Sequence, residues 1–406
     1  VRADASEPAR AEPGAASAGL KRRVVAAALE AGASAVAVVG AARDERAGAR
    51  LEAAFARGDF ATWGYDAAYA ARAADPGVLL PGARSVVCIA LAYAHEPPAG
   101  RGPLTGRVSN YAWSSDYHAR LRALLERIAG RIDELAGAPA TRVCCDTAPL
   151  AERAYAERAG LGWVGKHTNL IVPGAGSYVF LGEILTTLEL EPDRPSKKSC
   201  GSCTRCVTAC PTQALRGDYT IDATRCISDL TQRTGAIPRA LRPLLGDWIW
   251  GCDLCQAVCP PTRRASPRAD RAFAPAGAQA AFPGLLALLR LRSGEFKRRY
   301  RATAMGWRGA AVLRRNAAVA LGNALDRAAV PALEDSLRDD PHPLVRGHAA
   351  WALGRIGSPR ALAALRAALA GERDAGVRDE IRAALAAWSA VPGARANGPP
   401  GNLRAG

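Results

Sequence analysis

The sequence predicts three dissimilar parts. These are an α/β (α+β) domain over residues 20–195, a short cysteine-organised domain over 196–262, and an α-helical repeat domain over 263–390. Three observations carry this reading. Segments of helix and strand character alternate through the first half. Eight of the eleven cysteines fall between residues 200 and 259. Near the end, a twelve-residue pattern returns twice at a spacing of 32 residues.

Within the first part, "LKRRVVAAALEAG" and "ASAVAVVGAA" begin a helix–strand–helix run over residues 20–58. "ARSVVCIALAYA" is apolar throughout, the pattern of a strand buried on both faces. "SSDYHARLRALLERIAGRIDELAG" has apolar residues at helical spacing, with Ser114 or Ser115 as the expected N-cap. "ATRVCCDTA" reads as another buried strand. "PLAERAYAERAG" reads as a helix with Pro149 at its start and Gly160 past its end. "SYVFLGEILTTLEL" completes the alternation, and a sheet covered by helices is expected.

Residues 1–19 are small, polar and proline-bearing, and are expected to be a disordered tail; residues 391–406 are expected to be a flexible one. The first stretch lacks the apolar core of a signal peptide, and no apolar run is long enough to span a bilayer. A cytoplasmic protein with no membrane partner is therefore expected. The net charge of +16 is uneven: residues 261–406 hold 24 Lys and Arg against 11 Asp and Glu, a formal +13. Such asymmetry favours a polyanionic partner such as nucleic acid, against the plainer reading of a solvated arginine-rich surface.

The cysteines have a specific pattern. "CGSCTRCVTACP" places Cys200, Cys203, Cys206 and Cys210 in the C-x2-C-x2-C-x3-C-P spacing of bacterial ferredoxins. "CDLCQAVCP" adds Cys252, Cys255 and Cys259, and Cys226 lies between the two runs. Eight soft thiolates suffice for two [4Fe–4S] clusters in a ferredoxin-like domain. The last cysteine of each run crosses to the other cluster in two-cluster ferredoxins. Applied here, one cluster takes Cys200, Cys203, Cys206 and Cys259, and the other takes Cys210, Cys226, Cys252 and Cys255. Structural zinc and disulfides are the competing readings, and the proline-terminated run weighs against both. Cys88, Cys144 and Cys145 lie outside the set in apolar strands and read as small core residues.

The repeat begins at Leu313 ("LRRNAAVALGNA"), Val345 ("VRGHAAWALGRI") and Val377 ("VRDEIRAALAAW"). A helix pair per unit at this period resembles HEAT repeats. Arg314, Arg346 and Arg378 share one phase, so they form either a basic ladder or a set of local ion pairs. Just upstream, residues 291–315 carry Arg292, Lys297, Arg298, Arg299, Arg301, Arg308, Arg314 and Arg315 against Glu295 alone, with Trp307 among them to stack or to pack.

The α/β half has no G-x-G-x-x-G after a strand, no Walker loop and no D-x-H-x-x-G corrinoid motif; "DYHARL" has Leu121 where the glycine would stand. Taken together, "DTAPLAERAYAERAGLGWVGKH", "GSYVFLGE", "CGSCTRCVTACPTQAL", "CISDLTQ" and "GCDLCQAVCP" resemble the epoxyqueuosine reductase family, over a span from about residue 20 into the repeats. The resemblance implies a cobalamin-dependent enzyme, related to reductive dehalogenases, that removes the epoxide oxygen of epoxyqueuosine at the wobble position of tRNA. It implies two clusters feeding a base-off cobalamin, a carboxyl at Asp146 as proton donor, and an unidentified electron donor; a monomer is expected. It implies cobalamin contacts at Ser109, Asp146, Leu170, Leu181, Ser228 and Asp253. A family arginine is expected where Ala73 stands, with Arg72 one residue early. The tRNA side is expected at Thr231, Lys297, Arg298, Arg299, Arg301, Trp307, Arg308, Arg314, Arg315 and Arg346.

To donate a proton near neutral pH, Asp146 would need its pKa raised, and the expectation is that a buried strand end and the corrin supply that burial. The plainer reading of Asp146 is an N-cap of the following helix. The competing functions are another corrinoid reductase such as a reductive dehalogenase, a two-cluster electron carrier, and a HEAT-type RNA-binding scaffold.

Overall fold

The computed structural model describes residues 13–61, 63–265 and 269–389. The chain is already helical from Pro13, so residues 13–19 belong to helix α1 (Pro13–Glu30) and not to the expected tail; residues 1–12 and the expected C-terminal tail lie outside the described residues. Strand β1 (Ala35–Gly40) and α2 (Glu45–Ala56, capped by Asp44) follow, then α3 (Ala67–Ala73).

Four strands form the main sheet. Strand β2 (Ser85–Ala92) is buried along its whole length, as its unbroken apolar run requires. It pairs with β1 on one side and with β4 (Val179–Thr186) on the other; β3 (Thr141–Cys144) closes the far edge against β4. Every pairing is antiparallel. The alternating helix and strand segments thus yield an α+β sheet without parallel crossovers. As an edge strand, β3 is only partly buried, which corrects its reading as a buried strand.

Helix α4 (Tyr117–Ala136) covers one face, burying Leu121, Leu124, Leu125, Ile128 and Ile132 against Val87, Ile89 and Leu91 of β2. Its N-cap is Asp116, whose carboxylate accepts the His118 N–H, and not Ser114 or Ser115. Helix α5 (Glu152–Arg158) covers the other face with Tyr155 and Ala156. Cys88 and Cys144 pack there too, while Cys145 packs on the α4 side. All three are free and buried, and burial pushes the Cys144 and Cys145 thiols up to about 12, so neither is a thiolate.

The cysteine-rich segment is built from short helices: α6 (Arg205–Ala209), α7 (Ile227–Gln232) and α8 (Leu254–Ala257). Beyond it come α9 (Ser293–Tyr300), then the repeat pairs α10 (Ala310–Ala324) with α11 (Val330–Asp339) and α12 (Pro343–Ile356) with α13 (Pro359–Gly371), and last α14 (Ala375–Ser389). The third repeat has one described helix. A single apolar core runs from Val108, Trp113 and Trp250 into these repeats. No helix among the described residues is long and apolar enough to cross a membrane.

The arginine phase resolves as ion pairs at Arg314 and Arg346 and as a backbone contact at Arg378. Arg314 is bidentate with Asp340, and Arg346 with Glu372, each 26 residues ahead. The chain also folds back on itself in register: Arg346 Nη1 donates to the Asp340 carbonyl and Arg378 Nη1 to that of Glu372. The ladder is an internal staple of the solenoid.

Candidate active site

Beyond the end of β3 the chain turns sharply, and Asp146 sits in the left-handed region at φ 51°, a conformation aspartate tolerates better than most residues. Its N–H donates to Glu152 Oε1 at 2.8 Å, which fixes the turn from the first residue of α5. Asp146 is therefore not the cap of α5; the N-cap position belongs to Ala151.

The Asp146 carboxylate meets the first turn of α4. Tyr117 Oη donates to Oδ2 at 2.8 Å, and His118 Nε2 lies 2.8 Å from the same oxygen. His118 Nδ1 lies 2.7 Å from Asp116 Oδ1, so the imidazole bridges two carboxylates. Tyr117 stacks on Phe180 at 4.2 Å and on His118 at 4.1 Å, which holds both rings in place. The hydrogen bond to Asp146, opposed by burial and helped by Asp116, raises the His118 pKa to about 9. The same bond, with that of Tyr117, holds the Asp146 carboxyl below its ordinary value despite partial burial. The strand end by itself does not supply the burial expected for Asp146: its side chain is 50% exposed, and the hydrogen bond favours the proton on His118. The sequence reading weighed His118 only against a metal-ligand motif and missed its role.

Beside this pair lies a cavity of about 270 Å³. Leu170, Val179, Phe180 and Leu181 form an apolar wall, while Asn169, Ser177, Gln256, Glu152 and Arg153 supply polar groups. Of the expected cofactor contacts, Asp146, Leu170 and Leu181 line it. Ser109 and Asp253 instead bond each other, Ser109 Oγ to Oδ1 at 2.5 Å, with the Asn110 N–H on Oδ2 at 2.8 Å. Burial lifts Asp253 to about 6. This contact brings α8, and with it Gln256, against the α/β domain. Gly251 permits the approach: its φ is +68°, and a Cβ there would fall 2.5 Å from that of Ser109. Ser228 is not among the lining residues; its Oγ accepts from Gln232. Arg72 is exposed on the last turn of α3 and does not line the cavity, and Ala73 is buried.

The eight thiols fall into two neighbourhoods. Cys259 packs with Cys200, Trp163 and Ile171. Burial and then the charges of Cys200 and Cys259 raise the Cys206 thiol, and Cys203 acts on Cys259. Cys252 packs against the apolar cluster that includes Ile227 and Leu230 of α7; after burial, Cys226 and Cys210 raise its thiol, and Cys252 and Cys226 raise that of Cys255. The buried indole N–H groups of Trp163 and Trp248 lie in these same two neighbourhoods without a hydrogen-bond partner among the described residues.

The cationic candidates divide sharply. Lys297, Arg298, Arg299 and Arg301 are exposed on and just after α9, and Trp307 is exposed with Arg308 over its ring at 3.6 Å. Arg315 is fully buried and donates to the carbonyls of Leu230, Thr231, Arg233 and Gly235. Arg314 and Arg346 are the ion-paired staples. The Thr231 hydroxyl is buried, donating to Ile227 and accepting the Gly251 N–H. The side chains of Thr231, Arg314, Arg315 and Arg346 are therefore structural, which corrects their reading as RNA contacts. The reason is that α7 buries Thr231, α10 turns Arg314 and Arg315 inward, and Arg346 on α12 is engaged by Glu372.

Comparison with known proteins agrees with this layout. Residues 199–262 match the 4Fe-4S double cluster binding domain, residues 73–147 the family described as epoxyqueuosine reductase QueG, DUF1730, and residues 308–386 HEAT repeats. The double-cluster match decides the cysteine chemistry: the segment is a two-[4Fe–4S] domain, and zinc and disulfides fall away. The epoxyqueuosine reductase of Bacillus cereus is 38% identical over 315 residues, covering 77% of this chain and 83% of that protein. That of Escherichia coli is 40% identical over 288 residues, covering 70% and 75%. The crystal structure of an epoxyqueuosine reductase with an epoxyqueuosine-modified tRNA-Tyr stem loop superposes with a TM-score of 0.85 at 34% identity, covering 92% of this chain and 99% of that one. The Bacillus subtilis enzyme, seen with its catalytic aspartate loop swung out of the active site, superposes at 0.84 with 34% identity, covering 91% and 99%. The chain belongs to the epoxyqueuosine reductase family.

Proposed function

We propose that this chain reduces epoxyqueuosine to queuosine at the wobble position of tRNA, drawing electrons through its two [4Fe–4S] clusters to a base-off cobalamin, with Asp146 and His118 handling the proton. The observation that carries the reading is the position of the Asp146–His118 pair. It stands beside a cavity whose far wall includes Gln256, between the cluster ligands Cys255 and Cys259.

The residues present fit a corrinoid. The apolar wall of Leu170, Val179, Phe180 and Leu181 suits a flat macrocycle, and the carboxamides of Asn169 and Gln256 suit its amide-bearing rim. When bound, such a group supplies a strongly reducing centre next to the epoxide carbon. The orphaned indole N–H groups of Trp163 and Trp248 are donors of the kind that stabilise cluster sulfur.

Epoxide-to-alkene conversion consumes two electrons and two protons. Two C–O bonds break, a C=C bond forms, and the oxygen leaves as water. An alkoxide leaves poorly unless protonated, so a positioned acid contributes about 10²–10⁴-fold. His118 holds that proton at neutral pH and passes it along its 2.8 Å hydrogen bond, so that Asp146 delivers it to the oxygen. Asp116 keeps the imidazole oriented through Nδ1, and Tyr117 fixes the carboxylate. His118, one-third exposed, is recharged from solvent for the second proton.

The RNA partner is the anticodon stem-loop that bears the modified base, in which unstacked bases can turn into a pocket. Lys297, Arg298, Arg299 and Arg301 supply the phosphate contacts, and the protein acts as a monomer with an external electron donor. The deciding experiment is anaerobic turnover: reduced protein carrying clusters and cobalamin, an epoxyqueuosine-containing tRNA, and nucleoside mass spectrometry. Queuosine is the expected product; its absence from a fully loaded protein overturns the proposal.

A further inference from the structure

Seven large hydrophobic side chains are exposed among the described residues, and three of them, Trp63, Tyr65 and Trp307, meet in one place. Trp307, just before α10, stacks on Trp63 from the α2–α3 connection with ring centroids 5.6 Å apart. Trp63 is stacked nearly parallel to Tyr65, at 6.2 Å and 10°, and Tyr65 stacks on Tyr69 of α3 at 4.2 Å. The Arg308 guanidinium lies 3.6 Å from the Trp307 ring centre and 6.0 Å from that of Trp63.

This arrangement is held from three parts of the chain. Trp63 Nε1 donates to Asp229 Oδ1 of α7 at 3.0 Å, Arg308 Nε donates to the Gln232 carbonyl at 2.7 Å, and Tyr65 and Tyr69 rest on Phe55 of α2. Exposed aromatic rings fixed by hydrogen bonds across domains are poorly explained as core packing, because Trp63 and Trp307 stay 40% and 48% exposed although they stack on each other. Tyr65 and Tyr69 lie on the Asp146 side of the run: burial first, and then the Asp146 charge among others, raises both hydroxyls.

We infer that the Trp63–Trp307 face, with Tyr65 and Arg308, is a stacking platform for the unpaired loop bases that flank the nucleotide entering the Asp146 cavity. The inference rests on the tRNA reading above and deepens it. Every base has a π-face, so such a platform binds single-stranded RNA with little sequence preference, and an arginine beside it adds cation–π attraction. The duplex stem offers no free base faces and engages the α9 cations through its phosphates. Loop and stem thus bind by separate chemistries at separate places.

The test uses the full chain with its clusters in place, under anaerobic conditions at fixed salt. The probes are a labelled RNA hairpin carrying an anticodon loop and a blunt duplex of the same stem. Trp63→Ala and Trp307→Ala are each expected to weaken hairpin binding about tenfold while changing duplex binding less than about twofold. Trp63→Phe, which keeps a ring and loses only the Asp229 bond, retains most of the affinity. Abasic sites flanking the wobble position weaken wild type similarly and add little to Trp63→Ala. Iron content equal to wild type verifies folding. Hairpin affinity unchanged in both alanine variants overturns the platform. A wild-type chain that binds no hairpin overturns the substrate reading itself, a different outcome in a different sample.

Discussion

The Asp146 N–H is bonded to Glu152 Oε1, and behind Glu152 lies Glu183, fully buried in β4 with both carboxyl oxygens lacking a hydrogen-bond partner among the described residues. Burial and mutual repulsion, only partly offset at Glu152 by Arg153, keep the two neighbouring carboxyls from both ionising. Burial first, then the charge of Asp146, lifts Glu152 to about 7; burial and the charge of Glu152 lift Glu183 well above the ordinary range.

This pair makes stability depend on pH. An unfolded chain releases these protons near 4.5, while the folded chain keeps that of Glu152 to about 7 and that of Glu183 beyond. Between those values the folded form binds more protons, so stability falls as pH rises. Glu183→Gln removes one such group. Its Tm should exceed that of wild type by at least about 2 °C at pH 8 and match it near pH 4.5. A calorimetric difference that is equal at both pH values contradicts the buried, protonated pair.

His118 is expected to set the upper pH limit of the reaction. Its folded pKa of about 9 means the imidazolium is present at neutral pH and is lost as pH rises through 9. Single-turnover rates should be flat near neutrality and fall above about 9. His118→Gln should lower the plateau by about 10²–10⁴-fold and abolish that limb, leaving the cluster absorbance intact. A variant that keeps the wild-type pH profile removes His118 from the proton path.

The thiol grouping is separately checkable. Cys259→Ser and Cys200→Ser should perturb the same cluster, and Cys210→Ser and Cys252→Ser the other, each pair giving a matching electron paramagnetic resonance change and about half the wild-type iron. Cys144→Ser should keep full iron. Different signatures for Cys200→Ser and Cys259→Ser would refute the crossing of the last cysteine.

Two arginines from one basic stretch should behave oppositely. Arg298→Ala should weaken RNA binding and reduce the slope of log K against log salt by about 1. Arg315→Ala removes the donor from the carbonyls of Leu230, Arg233 and Gly235, leaves that of Thr231 to Asn316, and should cost at least about 3 kcal/mol of stability. Its remaining folded fraction should keep the wild-type salt slope. Denaturation and binding titrations across a salt series separate the two.

The sequence carried much of this arrangement because some chemistry is local. Eight cysteines in fixed spacing, Asp146 at the end of a strand and the 32-residue repeat were legible without coordinates. What depends on distant segments was not. His118 and Asp146 are 28 residues apart and meet only because α4 starts beside the β3 turn. Arg314, Arg315 and Arg346 look like surface cations until the packing of α10 and α12 turns them inward. Trp63 sits in a short polar turn with no pattern of its own, and its partner Trp307 is more than two hundred residues away. The antiparallel sheet was likewise hidden, since alternating elements suit parallel crossovers equally well.

Arg315 has a mechanical consequence. It grips carbonyls on both sides of Gln232, while Asn316 takes the carbonyls of Thr231 and Ile249, so the repeats and the cluster domain are fastened as one splint. The span from the α9 cations to the cluster domain beside the cavity is then set by the fold. A rigid caliper of this kind gauges its substrate by reach: an RNA whose loop protrudes too little or too far from its stem can satisfy one jaw and miss the other.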